Sequence, residues 1–326
     1  MSDERSLWRY EAGLPLGRSD AVAYFGEGLT PLLPGLREAE PFLFKLESVL
    51  PSGSFKDRGS AVLVNALVRL GVQEVVEDSS GNAGASLACY AARAGIDCEV
   101  YTPESTSPSK LAQIVAHGAR LVQIPGPRDE TARAVQEAAT RRFYASHNWQ
   151  PLFVEGVKTL GFELWEQLGL RAPEGIVLPV GLGSALLGCF LAFRGLQLAG
   201  EVDRLPRLYA VQAAACAPIH AAFQAGADDI APVECGRSIA EGVATSRPIR
   251  RREILAALRD SGGGTAVADD EEIVAAGRDL AAQGLYVEPT AALAYAAARK
   301  LLESGTLRPD RANVVVLTGS GLKQGR

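Results

Sequence analysis

Lys56 stands between the turn-forming Pro51-Ser52-Gly53-Ser54-Phe55 and the apolar run from Ala61 to Leu70. That setting predicts a loop-to-helix junction with Asp57 in the first helical turn. Peptide dipoles sum to partial positive charge at a helix N-terminus, so a lysine there costs less to keep neutral. A neutral amine is a nucleophile, and burial beside Phe55 lowers its pKa further. The chemistry this offers is that of a Schiff-base lysine. A surface lysine paired to Asp57 or Glu47 is the structural alternative, and so short a motif leaves both open.

Three more stretches hold residues of this kind, each at a strand-to-helix turn or a strand end. In Asp78-Ser79-Ser80-Gly81-Asn82-Ala83-Gly84, two hydroxyls, an amide and the unbonded N–H groups of a helix start make an anion site suited to a carboxylate. A capping turn accounts for one such polar residue, but not for three so close together. In Pro179-Val180-Gly181-Leu182-Gly183-Ser184-Ala185, two glycines let the backbone turn its N–H groups towards a phosphate. The third glycine and the downstream acid of a dinucleotide fingerprint are missing, so NAD is a poor fit. In Val314-Val315-Val316-Leu317-Thr318-Gly319-Ser320-Gly321-Leu322-Lys323, a buried strand delivers the Thr318 hydroxyl as a neutral hydrogen-bond partner, or else simply ends in a turn. Gly262-Gly263-Gly264 reads as a loop before a strand, since no helix start follows it.

The elements that must position these residues alternate in type. Strand-like runs at Phe42–Glu47, Val72–Glu77, Asp97–Thr102, Ala119–Ile124, Gly175–Val180, Arg207–Gln212, Thr265–Ala268 and Asn313–Thr318 are separated by helix-like runs. These helices follow Lys56, then cover Ala83–Ala94, Ser107–His117, Glu130–Arg142, Glu155–Leu168, Ala185–Leu198, Pro218–Ala225, Arg252–Leu258, Asp270–Gln283 and Pro289–Leu302. Helices of this length between strands favour parallel pairing, so the fold class is α/β. The expectation is two open, mostly parallel twisted sheets flanked by helices, with ligands at the carboxyl edges in a cleft and Ser146–Leu152 as the crossing segment.

Composition excludes several classes. The chain has 326 residues, enough for roughly two domains. A net charge of -5 and a pI near 5.5 argue against nucleic-acid or anionic-membrane partners. A polar, acidic start at Met1-Ser2-Asp3-Glu4-Arg5 without an apolar run behind it predicts a cytoplasmic protein with no membrane association. Cys89, Cys98, Cys189, Cys216 and Cys235 form no C-x-x-C pair and read as reduced, mostly buried thiols. His117, His147 and His220 show no ligand spacing, so no metal site is expected. His147 stands out because it lies in the polar loop Ser146-His147-Asn148.

Taken together, Ser54-Phe55-Lys56-Asp57-Arg58-Gly59, Ser79-Ser80-Gly81-Asn82, Gly181-x-Gly183-Ser184 and Thr318-Gly319-x-Gly321-Leu322-Lys323, in this order, resemble the fold type II pyridoxal-phosphate enzymes. Within that group the chain is most similar to threonine synthase and its relatives, in the tryptophan synthase beta superfamily, from about Gly26 to Lys323. The resemblance implies pyridoxal 5'-phosphate as cofactor and Lys56 as the lysine that holds it and removes the substrate's α-proton. It implies that Phe55 packs beside the ring, that Asn82 faces the ring hydroxyl, and that Gly181, Leu182, Gly183, Ser184 and Ala185 bind the phosphate. Thr318 would bond the ring nitrogen, and Ser79, Ser80, Gly81 and Asn82 would take the substrate carboxylate. A hydroxyl at the ring nitrogen does not hold it protonated, which favours elimination over transamination.

The resemblance also implies a domain plan and a homodimer. Residues 1–44 would pack on the large domain, 45–150 would form the smaller substrate-side domain carrying Lys56, and 151–326 the larger cofactor-binding domain. Two positions depart from threonine synthase. Its relatives usually carry Thr directly after the loop Asn and Arg two places before the Glu-Gly pair, both for a substrate phosphate; here Ala83 and Phe153 stand there. Losing the arginine removes several kcal/mol unless Arg58, Lys158 or Arg247 replaces it. Ser-Ser-Gly-Asn-Ala-Gly also resembles the loop of serine and threonine dehydratases. The expected function is elimination or replacement on a small L-amino acid, threonine synthase acting on O-phosphohomoserine being the best named activity. A dehydratase-like or other β-eliminating or β-replacing lyase is the alternative, and a binding protein without turnover a second. His147, Phe153, Glu241 and Ser320 are candidates for setting the substrate, and Ser105–Pro108 and Ser146–Gln150 are polar loops able to move.

Overall fold

The computed structural model describes residues 3–37, 40–126 and 128–323. In chain order the strands and helices begin with β1 (Leu32–Pro34), β2 (Phe42–Leu46), α1 (Lys56–Arg69), β3 (Glu74–Glu77), α2 (Asn82–Ala94), β4 (Asp97–Pro103), α3 (Pro108–Ala116), β5 (Arg120–Ile124) and α4 (Arg128–Ala138). They continue with β6 (Phe143–Tyr144), α5 (Pro151–Gln167), β7 (Gly175–Pro179), α6 (Ser184–Leu198), β8 (Arg207–Ala213), α7 (Pro218–Gln224) and α8 (Arg251–Asp260). The last four are β9 (Gly264–Ala268), α9 (Asp270–Ala282), α10 (Pro289–Glu303) and β10 (Asn313–Leu317).

These elements fold into two compact units. One holds the described residues of Met1–Leu29, Leu50–Val157 and Lys323–Arg326. Its four-stranded sheet runs β5-β4-β3-β6, all parallel, with α1 and α2 packed on each other. The other holds Thr30–Val49 and Lys158–Leu322. Its six-stranded sheet runs β1-β2-β10-β7-β8-β9, parallel except for β1. β7 and β10 are buried at every residue, as expected of central parallel strands covered on both faces. Lys45 of β2 is also fully buried; its ammonium donates to the Thr30 carbonyl (2.7 Å), to Glu163 and to Gln167 Oε1 (2.8 Å).

Local chemistry sets several boundaries. Pro108, Pro218 and Pro289 open their helices, where the missing N–H has no intrahelical partner to lose. Asp269 and Glu272 cap α9 reciprocally, each side chain accepting the other's backbone N–H at 2.9 Å. The two short strands β1 and β6 carry too few residues to show a period, and the sequence reading passes over both. Among the described residues, those up to Leu29 fall in the Lys56 unit and those of Thr30–Val49 in the other, and the division read after residue 150 falls inside α5, after Val157. A helix can run through a boundary that composition does not mark. The thiol expectation is corrected at Cys216 and Cys235, which form a disulfide across a sequence separation of 19; spacing alone does not reveal a pairing made in three dimensions. Cys89, Cys98 and Cys189 form no disulfide and are buried, as expected. Among the described residues no His, Cys, Asp and Glu group could hold a metal, and no helix is long and apolar enough to cross a membrane.

Candidate active site

In the first unit, Lys56 is the first residue of α1, and the helix has no side-chain cap at Phe55. The loop before it is closed by Asp57 instead. Asp57 accepts from the Ser52 backbone N–H (2.6 Å), from the Ser52 hydroxyl, and from Ser86 Oγ of α2 (2.6 Å). Asp57 is fully buried, and burial pushes its carboxyl up, while the Ser52 and Ser86 hydrogen bonds act the other way. These bonds tie the 51–55 loop to both α1 and α2, and they turn the Asp57 carboxylate to hydroxyls. The Lys56 ammonium lies over two aromatic rings, 4.5 Å from the Phe55 centroid and 5.6 Å from that of Phe153. The two rings line the half-buried amine on their side and orient it by cation–π contact.

β3 leads into the second motif. Ser79 and Ser80 are half-buried, Gly81 is exposed, and Asn82 opens α2, whose N-cap Gly81 supplies no side-chain hydrogen bond. A glycine at the cap offers no side chain of its own there, and a helix start of this kind is where an anion is bound. Asn82 Oδ1 accepts from Lys323 Nζ at 2.6 Å. Since β3 and β6 are neighbours, their carboxyl ends bring further polar groups side by side. His147 Nδ1 lies 2.7 Å from Glu77 Oε1, and Tyr144 OH donates to Asp78 Oδ1 at 2.8 Å.

Phe153 is buried, at the position where the resemblance implies an arginine for a substrate phosphate. Its ring meets the His147 ring edge-on at 5.8 Å, and a Cβ built on Gly59 would sit 2.6 Å from it. Of the cations considered in its stead, Arg58 is fully buried, Lys158 is half-buried in the other unit and Arg247 is exposed.

In the second unit, β7 runs into the glycine turn. Gly183 has φ +82, a left-handed conformation that favours glycine, and it caps α6 without a side-chain hydrogen bond. Gly181 approaches the Gly242 carbonyl so closely that a Cβ would lie 2.7 Å from it. Ser184 and Ala185 form the first turn of α6, and Leu182 is half-buried beside them. Thr318 follows β10, the strand next to β7, so the hydroxyl and the glycine turn leave adjacent carboxyl ends. Thr318 is 2% exposed, and its Oγ1 has no hydrogen-bond partner among the described residues. A buried hydroxyl left unpaired carries a desolvation cost of about 1–3 kcal/mol. A ring nitrogen would relieve that cost, and the N-terminus of α6, entered through a glycine turn, suits a phosphate, so the residues present fit pyridoxal phosphate. Gly264 opens β9, so the third glycine patch is indeed a loop before a strand.

The sequence reading thus finds Lys56, Phe55 and Ser79 to Asn82 in one unit, and Gly181 to Ala185 with Thr318 in the other. It misses Ser52 and Ser86 as the partners of Asp57, since serines carry no periodic signal. Lys323 closes the C-terminal motif, and its contact with Asn82 is set only by packing. Of the substrate candidates, Glu241 lies in the 3-10 turn Glu241–Val243 and Ser320 bridges Val287.

A family model described as "Pyridoxal-phosphate dependent enzyme" matches residues 23–319. A threonine synthase of Methanosarcina acetivorans is 36% identical over 98% of this chain and 80% of its own length. That of Methanocaldococcus jannaschii is likewise 36% identical, over 98% and 81%. Among solved structures, a threonine deaminase from T.th. is 30% identical with a TM-score of 0.74, covering 89% of this chain and 92% of that one. A fungal L-serine ammonia-lyase from Rhizomucor miehei has a TM-score of 0.78 over 90% and 94%, and at 24% identity it speaks for the fold alone.

Proposed function

The chain belongs to the pyridoxal-phosphate dependent enzymes of fold type II and is a lyase; from that premise we propose that it is a threonine synthase, converting O-phosphohomoserine and water to L-threonine and phosphate. The observation that carries the activity is the similarity to threonine synthases over 98% of the chain. When bound, pyridoxal phosphate supplies an electron sink for negative charge at the substrate's α-carbon. Lys56 holds the cofactor, and its amine carries the proton at that carbon, a task suited by its position between the Phe55 and Phe153 rings. Asp57 keeps the lysine's loop fixed through Ser52 and Ser86. Ser79, Ser80 and Gly81 with the start of α2 bind the substrate carboxylate, and Asn82 faces the ring hydroxyl. Gly181 to Ala185 bind the cofactor phosphate. Thr318 gives the ring nitrogen a hydrogen bond without a carboxylate to keep a proton there.

A second reading is favoured by one observation. The buried Phe153 ring and Ala83 offer no charge to a substrate phosphate, which suits a dehydratase-like lyase acting on an uncharged hydroxyamino acid. The visible absorbance of the holoenzyme, followed while O-phosphohomoserine, L-serine and L-threonine are added in turn, separates the two when phosphate and 2-oxo acid are assayed in the same samples. A spectral change with O-phosphohomoserine and release of phosphate is the expected result. Oxo acid from serine or threonine, with no response to O-phosphohomoserine, replaces the synthase by the lyase. The same reading makes the protein a cytoplasmic homodimer, so light scattering should give twice the chain mass of 34.4 kDa and cell fractionation should find it in the cytosol.

A further inference from the structure

We propose that Lys323 is a positioning residue, which fixes the Asn82 side-chain amide so that its NH2 group is presented to the cofactor's ring hydroxyl. The inference rests on the reading above that Asn82 faces that hydroxyl. An asparagine amide has two orientations of almost the same shape, which exchange an acceptor for a pair of donors, and only its neighbours decide between them. Here a cation decides. Lys323 Nζ lies 2.6 Å from the Asn82 amide oxygen, and an ammonium group has donors and no acceptor. Only Oδ1 can face it, so Nδ2 with both hydrogens lies on the other branch of the amide.

The polarity of the ligand makes that choice matter. A deprotonated ring hydroxyl is an acceptor and needs a donor; the flipped amide would set an oxygen lone pair against an anionic oxygen. The cation also polarises the amide it bonds, and a polarised donor bonds more strongly. Nor does helix stability account for the arrangement. Asn82 is the first residue of α2, and a cation at a helix N-terminus is disfavoured by the dipole. Lys323 itself is only half-buried, at the end of the 3-10 turn Gly321–Lys323. Lys323 also lies in the field of the buried Asp57 carboxylate, whose ionised form its charge favours. That attraction does not choose between the two orientations of the Asn82 amide, whereas the bond to Oδ1 does.

The test uses the holoenzyme and its Lys323→Met, Lys323→Arg and Asn82→Ala variants. Three quantities are read: the dissociation constant for pyridoxal phosphate, the pH midpoint of the bound cofactor's visible absorbance, and the melting temperature of the cofactor-free protein. Losing one charge-assisted bond predicts about tenfold weaker retention and a midpoint moved by about one pH unit in Lys323→Met. Asn82→Ala should move the midpoint in the same direction. The melting temperature of cofactor-free Lys323→Met should stay at the wild-type value, and Lys323→Arg, which keeps a donor, should restore retention and midpoint. If Asn82→Ala moves the midpoint and Lys323→Met does not, the inference falls while the assignment of Asn82 stands. If neither moves it, the assignment of Asn82 falls and takes this inference with it. A lowered melting temperature with no rescue by arginine would reduce Lys323 to a structural residue and overturn the proposal.

Discussion

Replacing Phe153 and Gly59, singly and together, tests how the wall beside Lys56 is built. Phe153 is 2% exposed, so Phe153→Ala removes a fully packed ring, and such truncations cost about 3–5 kcal/mol. The edge-on contact with His147 at 5.8 Å accounts for about 0.5–1.5 kcal/mol of this. Gly59→Ala acts in the opposite sense. Its new methyl would lie 2.6 Å from three carbons of the Phe153 ring, and overpacking a rigid core costs about 1–3 kcal/mol. In the double variant the methyl enters the space the ring has left, so the strain disappears and part of the cavity is filled. The double variant should therefore be more stable than the sum of the single costs predicts, by about 1–3 kcal/mol. Urea unfolding with excess pyridoxal phosphate, followed by both tryptophan fluorescence and circular dichroism, gives the energies where the two probes coincide. Phe153→Ala should also lower cofactor retention, because the ring that packs beside the Lys56 amine is lost. Additive energies, to within about 0.5 kcal/mol, would refute the packing argument.

Three further outcomes are expected. Glu27 is 2% exposed, and burial pushes its carboxyl up to about 7 from 4.5; the folded protein then keeps a proton that the unfolded chain gives up. Stability should fall by about 3 kcal/mol as pH rises from 4.5 to 7, and Glu27→Gln should flatten that slope in pH-dependent urea unfolding. Cutting the disulfide with reductant or by Cys235→Ser should lower the melting temperature, since a loop closed over a separation of 19 residues stabilises by about 3 kcal/mol. Thr318→Val should leave the cofactor-free protein as stable as wild type or slightly more so, because Oγ1 is buried without a partner among the described residues. The same variant should bind pyridoxal phosphate less tightly in a spectroscopic titration.

The class of the fold and most of the chemistry are legible in local stretches of chain. Valine-rich runs such as Val314 to Val316 and helices opened by Pro108, Pro218 and Pro289 are local signals, set by backbone geometry and period, so their elements appear where they were read. Lys56 at a helix start and Gly183 at a left-handed cap are likewise fixed within a few residues of chain. Contacts between residues distant in sequence are set only when the chain packs. Asp57 finds Ser86 across a separation of 29, Asn82 finds Lys323 across 241, and His147 finds Glu77 across 70. Side chains such as these carry no periodicity that announces a partner. The same holds for Cys216 and Cys235, and for the division of the chain inside α5, a helix whose own residues run unbroken from one compact unit to the next. Phe153 shows both levels at once: its position marks a departure from threonine synthase in the sequence, but only packing against Gly59 and His147 shows that an aromatic wall takes that place.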